Sequence, residues 1–268
     1  MQMVLVAHLD LLTRKGEISM LLENKVCVIY GAGGSIGGAI AREFSREGAR
    51  VILAGRTQST LDQVADDIRA NGGHADTAVL DALDETQVQS SINSVIEAEG
   101  HIDVSVNVIG LYDVQKHLMD ISVGDFLQPI MNAMRTQFLT TKAAARHMIP
   151  RKTGVILQFG GGGPQTRPGL GGFKIALDAM EGLRRQWAWE LGEHGIRVVT
   201  IKTGGIAESI PADFEGRQHI IDQLLPTTLL KRSATLADVG HVAAFLASDL
   251  AQSITATEVN ISCGAIVD

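Results

Sequence analysis

The chain has 268 residues, of which 45% are hydrophobic and 20% charged, with a formal net charge of −7. This hydrophobic content excludes an intrinsically disordered chain, and the length fits one α/β domain with a full core. The acidic balance without a Lys/Arg run argues against nucleic acid or a membrane as a partner, and every apolar stretch is shorter than the ~18 residues of a membrane span.

Residues 1–19 precede Met20, from which the sequence is typical of the start of a domain. His8 and Asp10 interrupt their apolar part, which lacks the basic region and cleavage site of a signal peptide. We interpret residues 1–19 as an N-terminal extension: a subunit-contacting arm, a result of start-codon choice, or a disordered tail. Residues 20–268 are predicted to form a single domain.

Seven short runs rich in Val and Ile predict β-strands, and most of them are apolar without alternation. Continuous apolarity at strand length indicates a sheet that is covered on both faces. The predicted strands, in chain order, are residues 25–31, 50–55, 75–81, 102–110, 154–160, 196–202 and 257–263.

Segments with helical periodicity lie between these runs, and several end in a glycine suited to a left-handed cap. The predicted helices are residues 38–48, 59–73, 84–100, 131–148, 175–195 and 236–250. Alternating strands and helices predict an α/β fold: a Rossmann-type, doubly wound parallel sheet of about seven strands with helices on both faces.

The two cysteines, Cys27 and Cys263, lie far apart in sequence within apolar segments. They are therefore expected to be small core residues with reduced thiols, which predicts a cytoplasmic protein. The eight histidines show no spacing typical of metal ligands, so no metal site is expected.

A glycine-rich turn follows the first strand and leads directly into a helix. Small residues there allow the backbone to turn tightly and to approach a pyrophosphate, whose charge the helix N-terminus stabilises. The residues predicted to bind a dinucleotide in this turn are Gly31, Gly33, Gly34, Ser35, Ile36 and Gly37.

Several motifs together resemble those of the short-chain dehydrogenase/reductase family, in the family's order from about residue 22 to residue 265. The turn resembles T-G-x-x-x-G-x-G, with Tyr30 in the Thr place and Ser35 in the middle Gly place. The other matching segments are Asp81 after the third strand, V-N-V-I-G at 106–110, the long helix and sixth strand at 181–198, T-G-G-I at 203–206, and the last helix and strand at 237–264.

This resemblance implies hydride transfer between a nicotinamide and a carbonyl or alcohol carbon of a small molecule. It also implies further cofactor contacts, which fall on Asp81, Ala82, Asn107, Val108, Gly110, Gly204 and Ile206.

The end of the second strand predicts the cofactor preference. Selectivity for NAD(H) needs a carboxylate for the ribose 2′-hydroxyl, but Gly55 stands at that place, followed by Arg56 and Thr57. A guanidinium suits a 2′-phosphate by charge and geometry, so NADP(H) is predicted over NAD(H). The alternative interpretation of Arg56 is a solvated arginine at the start of a loop.

In active family members a Tyr transfers the proton, a Lys four residues later lowers its pKa, and a Ser orients the substrate oxygen. The resemblance places this Tyr on Phe173, the Lys on Leu177 and the Ser on Gly160 or Gly161. The Asn of the proton relay falls on Ala133, one residue from Asn132. These substitutions together predict that the standard mechanism is absent.

Another residue would then have to supply the proton. Tyr112 follows the fourth strand by a few residues, at the rim where ligands bind in such sheets, and is predicted as the catalytic candidate. Its ordinary interpretation is a partly buried loop aromatic, and Tyr30 is expected to pack in the phosphate turn. Further polar candidates, each also interpretable as a structural or solvated residue, are Asp113, His117, Gln158 and Lys174. The glycines after Gln158 could instead expose backbone N–H groups to an oxyanion.

Residues 207–230 contain two prolines around an amphipathic stretch and resemble in position the family's substrate lid. The helices at 131–148 and 175–191 correspond to those that pair between family subunits, which predicts a homotetramer or a homodimer. Trp187 and Trp189 are either anchors of that contact or part of the core.

The sequence therefore predicts an NADP(H)-binding oxidoreductase with a non-standard active site, acting on a carbonyl, an alcohol or an enone. The alternative is a catalytically inactive family member that serves as a nucleotide-binding sensor or as a partner subunit. A third possibility is a non-redox enzyme that uses the same pocket.

Overall fold

The computed structural model describes residues 20–267. The strands of this range are β1 (Val26–Tyr30), β2 (Arg50–Gly55), β3 (His74–Val79), β4 (Val104–Asn107), β5 (Gly154–Gly160), β6 (Ile196–Lys202) and β7 (Thr257–Asn260). The helices are α1 (Ser35–Arg46), α2 (Gln58–Ala70), α3 (Glu85–Glu99), α4 (Val123–Met148), α5 (Phe173–Gly192), α6 (Arg217–Leu224) and α7 (Leu236–Ala247). Short 3-10 helices occur at Ile149–Arg151, Ala207–Ser209, Leu225–Thr227 and Asp249–Ala251. The predicted extension, residues 1–19, lies outside the described residues and stays a prediction.

The strands form one parallel sheet in the order β3-β2-β1-β4-β5-β6-β7. The order reverses between β1 and β4, so the connections after these two strands run to opposite faces of the sheet. A crevice at the carboxyl ends of the strands is the usual ligand site in such sheets. The predicted doubly wound fold is confirmed.

Two apolar clusters cover the faces of the sheet. One packs α1, α2 and α7 against the sheet and includes Cys27, Ile40 and Phe44. The other packs α3, α4 and α5 against the opposite face and includes Tyr30 and Met148. Burial on both faces is the physical reason for the continuous apolar strands.

Helix α4 begins eight residues before the predicted start at residue 131, and this part of the prediction was wrong. Ser122 caps the helix, because its hydroxyl accepts a hydrogen bond from the backbone N–H of Asp125. Pro129, which favours a helix boundary in sequence, lies inside the helix and is buried. Tertiary packing therefore outweighs the local cost of the proline here.

The amphipathic stretch within residues 207–230 forms α6, flanked by two 3-10 helices. Strands β4 and β7 are shorter than predicted, ending at Asn107 and Asn260. After Asn107 the chain leaves the sheet, and its next residues line a cavity at the strand ends.

Candidate nucleotide-binding and active site

The turn after β1 and the start of α1 pack so closely that only glycine fits at one position of each, Gly31 and Gly37. Gly31 has a left-handed backbone (φ +86°), and a Cβ there would lie 2.9 Å from the carbonyl oxygen of Val108. A Cβ on Gly37 would lie 2.3 Å from the carbonyl oxygen of Gly31. The turn ends at Gly34, the N-cap of α1. The N-terminus of a helix presents backbone N–H groups and a positive dipole, which suit a phosphate.

A cavity of about 230 Å³ opens beside this turn, at the carboxyl ends of β1, β2 and β4 and the loop after β3. It brings together residues from five separate parts of the chain. The predicted residues that line it are Gly31, Gly33, Gly34, Arg56, Thr57, Asp81, Ala82, Val108, Gly110 and Tyr112.

The remaining predicted cofactor residues lie outside the cavity lining. Ser35, Ile36 and Gly37 form the first turn of α1. Asn107 is buried in β4 and donates a hydrogen bond to Thr140 Oγ1 at 3.1 Å.

Gly204 and Ile206 follow β6 at a different part of the strand edge. Ile206 is buried in the core, and a Cβ on Gly204 would lie 2.6 Å from the Cβ of Ala265. These two residues therefore pack against the protein itself, and they are not among the residues that line the described cavity.

Three further polar residues line the cavity: Thr60, Asn132 and Thr136. Sequence reasoning missed Thr60 and Thr136, and it named Asn132 only as the neighbour of Ala133, where the relay residue was expected. Thr60 lies so close to the turn that a Cβ on Gly33 would be 2.3 Å from its hydroxyl oxygen. Asn132 and Thr136 are four residues apart on α4, a spacing that places both on one face of a helix. This four-residue spacing within a predicted helix was the sequence signal that could have paired Asn132 with Thr136.

Arg56 and Tyr112 meet at the rim of the cavity, from the loops after β2 and β4. The Arg56 guanidinium donates a hydrogen bond to the Tyr112 hydroxyl, and its central carbon lies 5.1 Å from the ring centre. Tyr112 has a left-handed backbone (φ 58°), and about half of its surface is exposed. The structure thus places the predicted catalytic tyrosine beside the predicted phosphate-binding arginine.

Phe173 is the first residue of α5 and lies in a small apolar cluster. Phe173 and Leu177 pack against the buried residues Leu111, Ala133 and Ala176. These side chains carry no ionisable group. The cluster therefore supplies shape and apolar surface to its surroundings, and no proton.

A buried lysine, Lys202, packs against the glycine tract at the end of β5, residues 160–163. Gly161 has a left-handed backbone (φ +113°), and a Cβ there would lie 2.4 Å from Cγ of Lys202. Lys202 is buried, and its Nζ lies 3.0 Å from a carboxylate oxygen of Glu258. A side chain at residue 161 would therefore compete with the aliphatic stem of Lys202 for the same space.

Lys174 holds the same tract from α5. Its Nζ donates hydrogen bonds to the carbonyl oxygen of Gly163 at 2.6 Å and to Asp178 at 2.5 Å. Asp178 also accepts a hydrogen bond from the backbone N–H of Gly163 at 3.1 Å. The predicted polar candidate Lys174 thus has a structural role in fixing this loop.

The other polar candidates have different surroundings. Gln158 is 1% exposed, between Asn107 and Thr200 in the sheet register. Tyr30 is also buried, and burial raises the pKa of its hydroxyl. His117 and Asp113 lie in the loop before α4, where Asp113 accepts a hydrogen bond from Gln115 at 3.1 Å.

Residues 20–267 contain no group of three or more His, Cys, Asp or Glu side chains arranged to hold a metal ion. In the same range, no helix has the length and apolarity to cross a membrane.

Known proteins resemble this chain in sequence and in fold. A family model described as Enoyl-(Acyl carrier protein) reductase matches residues 31–265. Oxidoreductase UcpA of Escherichia coli strain K12 is 32% identical over 245 residues, covering 88% of this chain and 92% of that protein. The mitochondrial borneol dehydrogenase of Lavandula x intermedia is 30% identical over 230 residues, covering 85% of each chain.

The solved structure of a 7α-hydroxysteroid dehydrogenase complexed with NADH and 7-oxo glycochenodeoxycholic acid has a TM-score of 0.84 to this chain. The two chains are 25% identical, and the match covers 93% of this chain and 97% of the other.

Proposed function

Because the chain belongs to the short-chain dehydrogenase/reductase family, we propose that residues 20–268 form one NADP(H)-dependent oxidoreductase domain. Its substrate is a small molecule with a carbonyl, an alcohol or an enone. The observation that carries the cofactor part of this proposal is the cavity that joins the glycine turn to Arg56.

The residues present fit a dinucleotide. The close contacts that a Cβ would make at Gly33 and Gly37 mark a tightly packed backbone without side chains next to the N-terminus of α1, where a phosphate would bind. When bound, the nicotinamide supplies or accepts the hydride. The turn and α1 would hold the pyrophosphate, and the loops after β2 and β3 would hold the adenosine.

The preference for NADP(H) is supported by the side chains around the end of β2. Gly55 occupies the place where a carboxylate would bind the ribose 2′-hydroxyl, and Arg56 is exposed at the cavity rim. A guanidinium binds a phosphate with several charge-assisted hydrogen bonds, while it offers little to an uncharged hydroxyl.

A non-standard active site is supported by the apolar packing of Phe173 and Leu177. A phenol beside a lysine would transfer a proton, but these two side chains have none to transfer. Reduction of an enone demands less of the protein, since the hydride acceptor is conjugated and a solvent proton completes the reaction. The role of Tyr112 as proton donor stays a prediction.

The same apolar cluster favours a second candidate function, a catalytically inactive family member. Such a chain would bind the nucleotide as a sensor, or would be the partner subunit of an active homologue. It would keep the glycine turn and Arg56 as the proposed cofactor contacts, and it would lack a group for proton transfer.

We further propose a homodimer or homotetramer in the cytoplasm. Apolar side chains on α4 and α5 are exposed, among them Met131, Ile175 and Trp189. Both Cys27 and Cys263 are free thiols, as expected in a reducing compartment.

The proposal is tested with the purified full chain. Fluorescence titration with NADPH and NADH measures cofactor binding, and NADPH consumption across a panel of ketones and enones measures turnover. Turnover with NADPH supports the oxidoreductase, whereas tight NADPH binding without turnover across the panel supports the inactive member. If neither cofactor binds, both candidate functions are wrong.

A further inference from the structure

The contact between Arg56 and Tyr112 joins two loops that border the same end of the cavity. Arg56 and Tyr112 are 56 positions apart in sequence, and both line the cavity. We propose that Arg56 and Tyr112 form one composite anion site that recognises the 2′-phosphate of NADP(H), with the Tyr112 hydroxyl as a second donor. This inference rests on the proposed NADP(H) preference and makes Tyr112 a specificity-determining residue.

The hydrogen-bonding capacity of the pair fits a phosphate. In the structure Arg56 donates to the phenol oxygen, so the tyrosine acts as acceptor in this bond. A guanidinium has five N–H groups, and a phenol keeps its own O–H while accepting. Both side chains therefore retain donors for an anion, and the bond between them fixes the guanidinium at the cavity rim.

The backbone under Tyr112 supports a fixed position for the phenol. A left-handed conformation is uncommon for a bulky residue and persists where the surroundings impose it. Here the preceding residue, Leu111, is buried in the apolar cluster, and its carbonyl oxygen accepts a hydrogen bond from Asn132 at 3.2 Å. The turn is thus anchored in α4 and directs the next side chain to Arg56.

The charge of the cavity is compatible with an anion at this place. Of the described residues that line it, Asp81 is the acidic one. Its carboxylate accepts a hydrogen bond from the backbone N–H of Leu83 at 3.0 Å, within its own turn. Arg56, by contrast, is bound to an uncharged phenol, so its positive charge is available to a phosphate.

The test compares two ligands that differ in the 2′-phosphate alone and contain no nicotinamide. Calorimetric titrations with adenosine 2′,5′-bisphosphate and with 5′-AMP are run on the wild type, Tyr112→Phe, Arg56→Ala and the double variant. We expect Tyr112→Phe to weaken binding of the bisphosphate by at least about tenfold, the loss typical of one hydrogen bond to a charged group, and to leave binding of 5′-AMP unaffected. In the double variant the combined loss is expected to be smaller than the product of the two single losses.

Arg42→Ala is the matched control for the removal of a surface arginine. Arg42 is on α1, is paired with Asp67 at 2.6 Å and does not line the cavity among the described residues, so its loss is expected to leave both affinities unchanged.

The remaining outcomes decide against one proposal or the other. Equal weakening of both ligands by Tyr112→Phe, or no weakening at all, overturns the composite site. A wild type that binds both ligands equally overturns the NADP(H) preference itself. With a turnover assay, the composite site predicts a higher KM for NADPH in Tyr112→Phe, whereas a lower kcat at unchanged NADPH affinity supports the proton-donor prediction instead.

Discussion

The hydroxyl of Thr200 on β6 donates a hydrogen bond to the carboxylate of Glu181 on α5, with 2.7 Å between the oxygens. The second carboxylate oxygen of Glu181 accepts a hydrogen bond from Arg184 Nε at 2.6 Å. All three residues are buried. This link fixes the helix that begins at Phe173 against β6, the neighbour of the edge strand β7.

The surroundings of Glu181 predict a pH-dependent contribution to stability. Burial raises the pKa of its carboxyl above the ordinary value of 4.5, while the bonds from Thr200 and Arg184 oppose this rise. The raised pKa means that the folded chain holds this proton more tightly than the unfolded chain does. The contribution of the protonated carboxyl to the free energy of unfolding is therefore full below pH 4.5. It is lost as the pH rises through the folded pKa. A glutamine does not titrate.

We therefore expect the free energy of unfolding of the wild type, relative to Glu181→Gln, to decrease as the pH is raised from acid to neutral. Urea unfolding of both proteins at several pH values measures this difference. Glu190→Gln, on the exposed side of the same helix, is the matched control. A difference that grows with pH would contradict the prediction.

Position 161 is not expected to tolerate the serine that the family resemblance places at Gly160 or Gly161. A Cβ at residue 161 would lie 2.4 Å from Cγ of Lys202, and the backbone there is left-handed. Gly161→Ser is therefore expected to lower the free energy of unfolding by about 2 kcal/mol or more, from strain and overpacking. Thermal and urea unfolding measure the loss.

Gly182→Ala is the control for this substitution, because a Cβ there meets nothing within 4 Å. Since Gly182 lies inside α5, its alanine variant is expected to gain about 0.5–1 kcal/mol. If Gly161→Ser were as stable as the wild type, Lys202 would not be what excludes a side chain from the tract.

The strands were the most predictable part of the fold. The bounds of β2, β5 and β6 agree with the prediction, because each is a continuous buried run that a charged residue or a glycine delimits. The start of α4 was not predictable, since packing of the buried Pro129 overrides a local signal. Helix propensity describes only the local free-energy cost of a residue, whereas tertiary contacts decide where a helix such as α4 begins.

The candidate site likewise has a part that the sequence could predict and a part that it could not. The glycine turn could be predicted because its chemistry lies in consecutive residues from Gly31 to Gly37. The contact between Arg56 and Tyr112 could not, since it depends on the paths of two loops and on a left-handed backbone at Tyr112. Lys202, which shapes the glycine tract, is likewise brought there by the pairing of β5 with β6.

Gly37 is expected to be essential for nucleotide binding. A Cβ there would lie 2.3 Å from the carbonyl oxygen of Gly31 and 2.8 Å from Cα of Ala32, and neither backbone atom can move without opening the turn. We expect Gly37→Ala to weaken NADPH binding by at least about tenfold, because the backbone N–H groups lose their common direction toward the phosphate. Fluorescence titration measures the affinity, with Gly182→Ala as the control that leaves it unchanged. Wild-type affinity in Gly37→Ala would show that the turn tolerates a side chain.

The last prediction concerns the exposed tryptophan on α5. Trp187 stacks on Phe138 of α4, with 5.6 Å between the ring centres, so it joins the two helices within one chain. Trp189 is 86% exposed, a large apolar surface on a helix that the proposed oligomer would bury. Since buried tryptophans often contribute 2 kcal/mol or more to an interface, we expect Trp189→Ser to weaken subunit association by at least about 30-fold.

Light scattering over a range of protein concentrations measures this change. The control is Phe214→Ser, which removes an exposed aromatic side chain from the segment between β6 and α6 and is expected to leave the assembly intact. A wild type that is monomeric at all concentrations would contradict the proposed oligomer. An assembly that both variants retain would place the subunit contact on another face of the molecule.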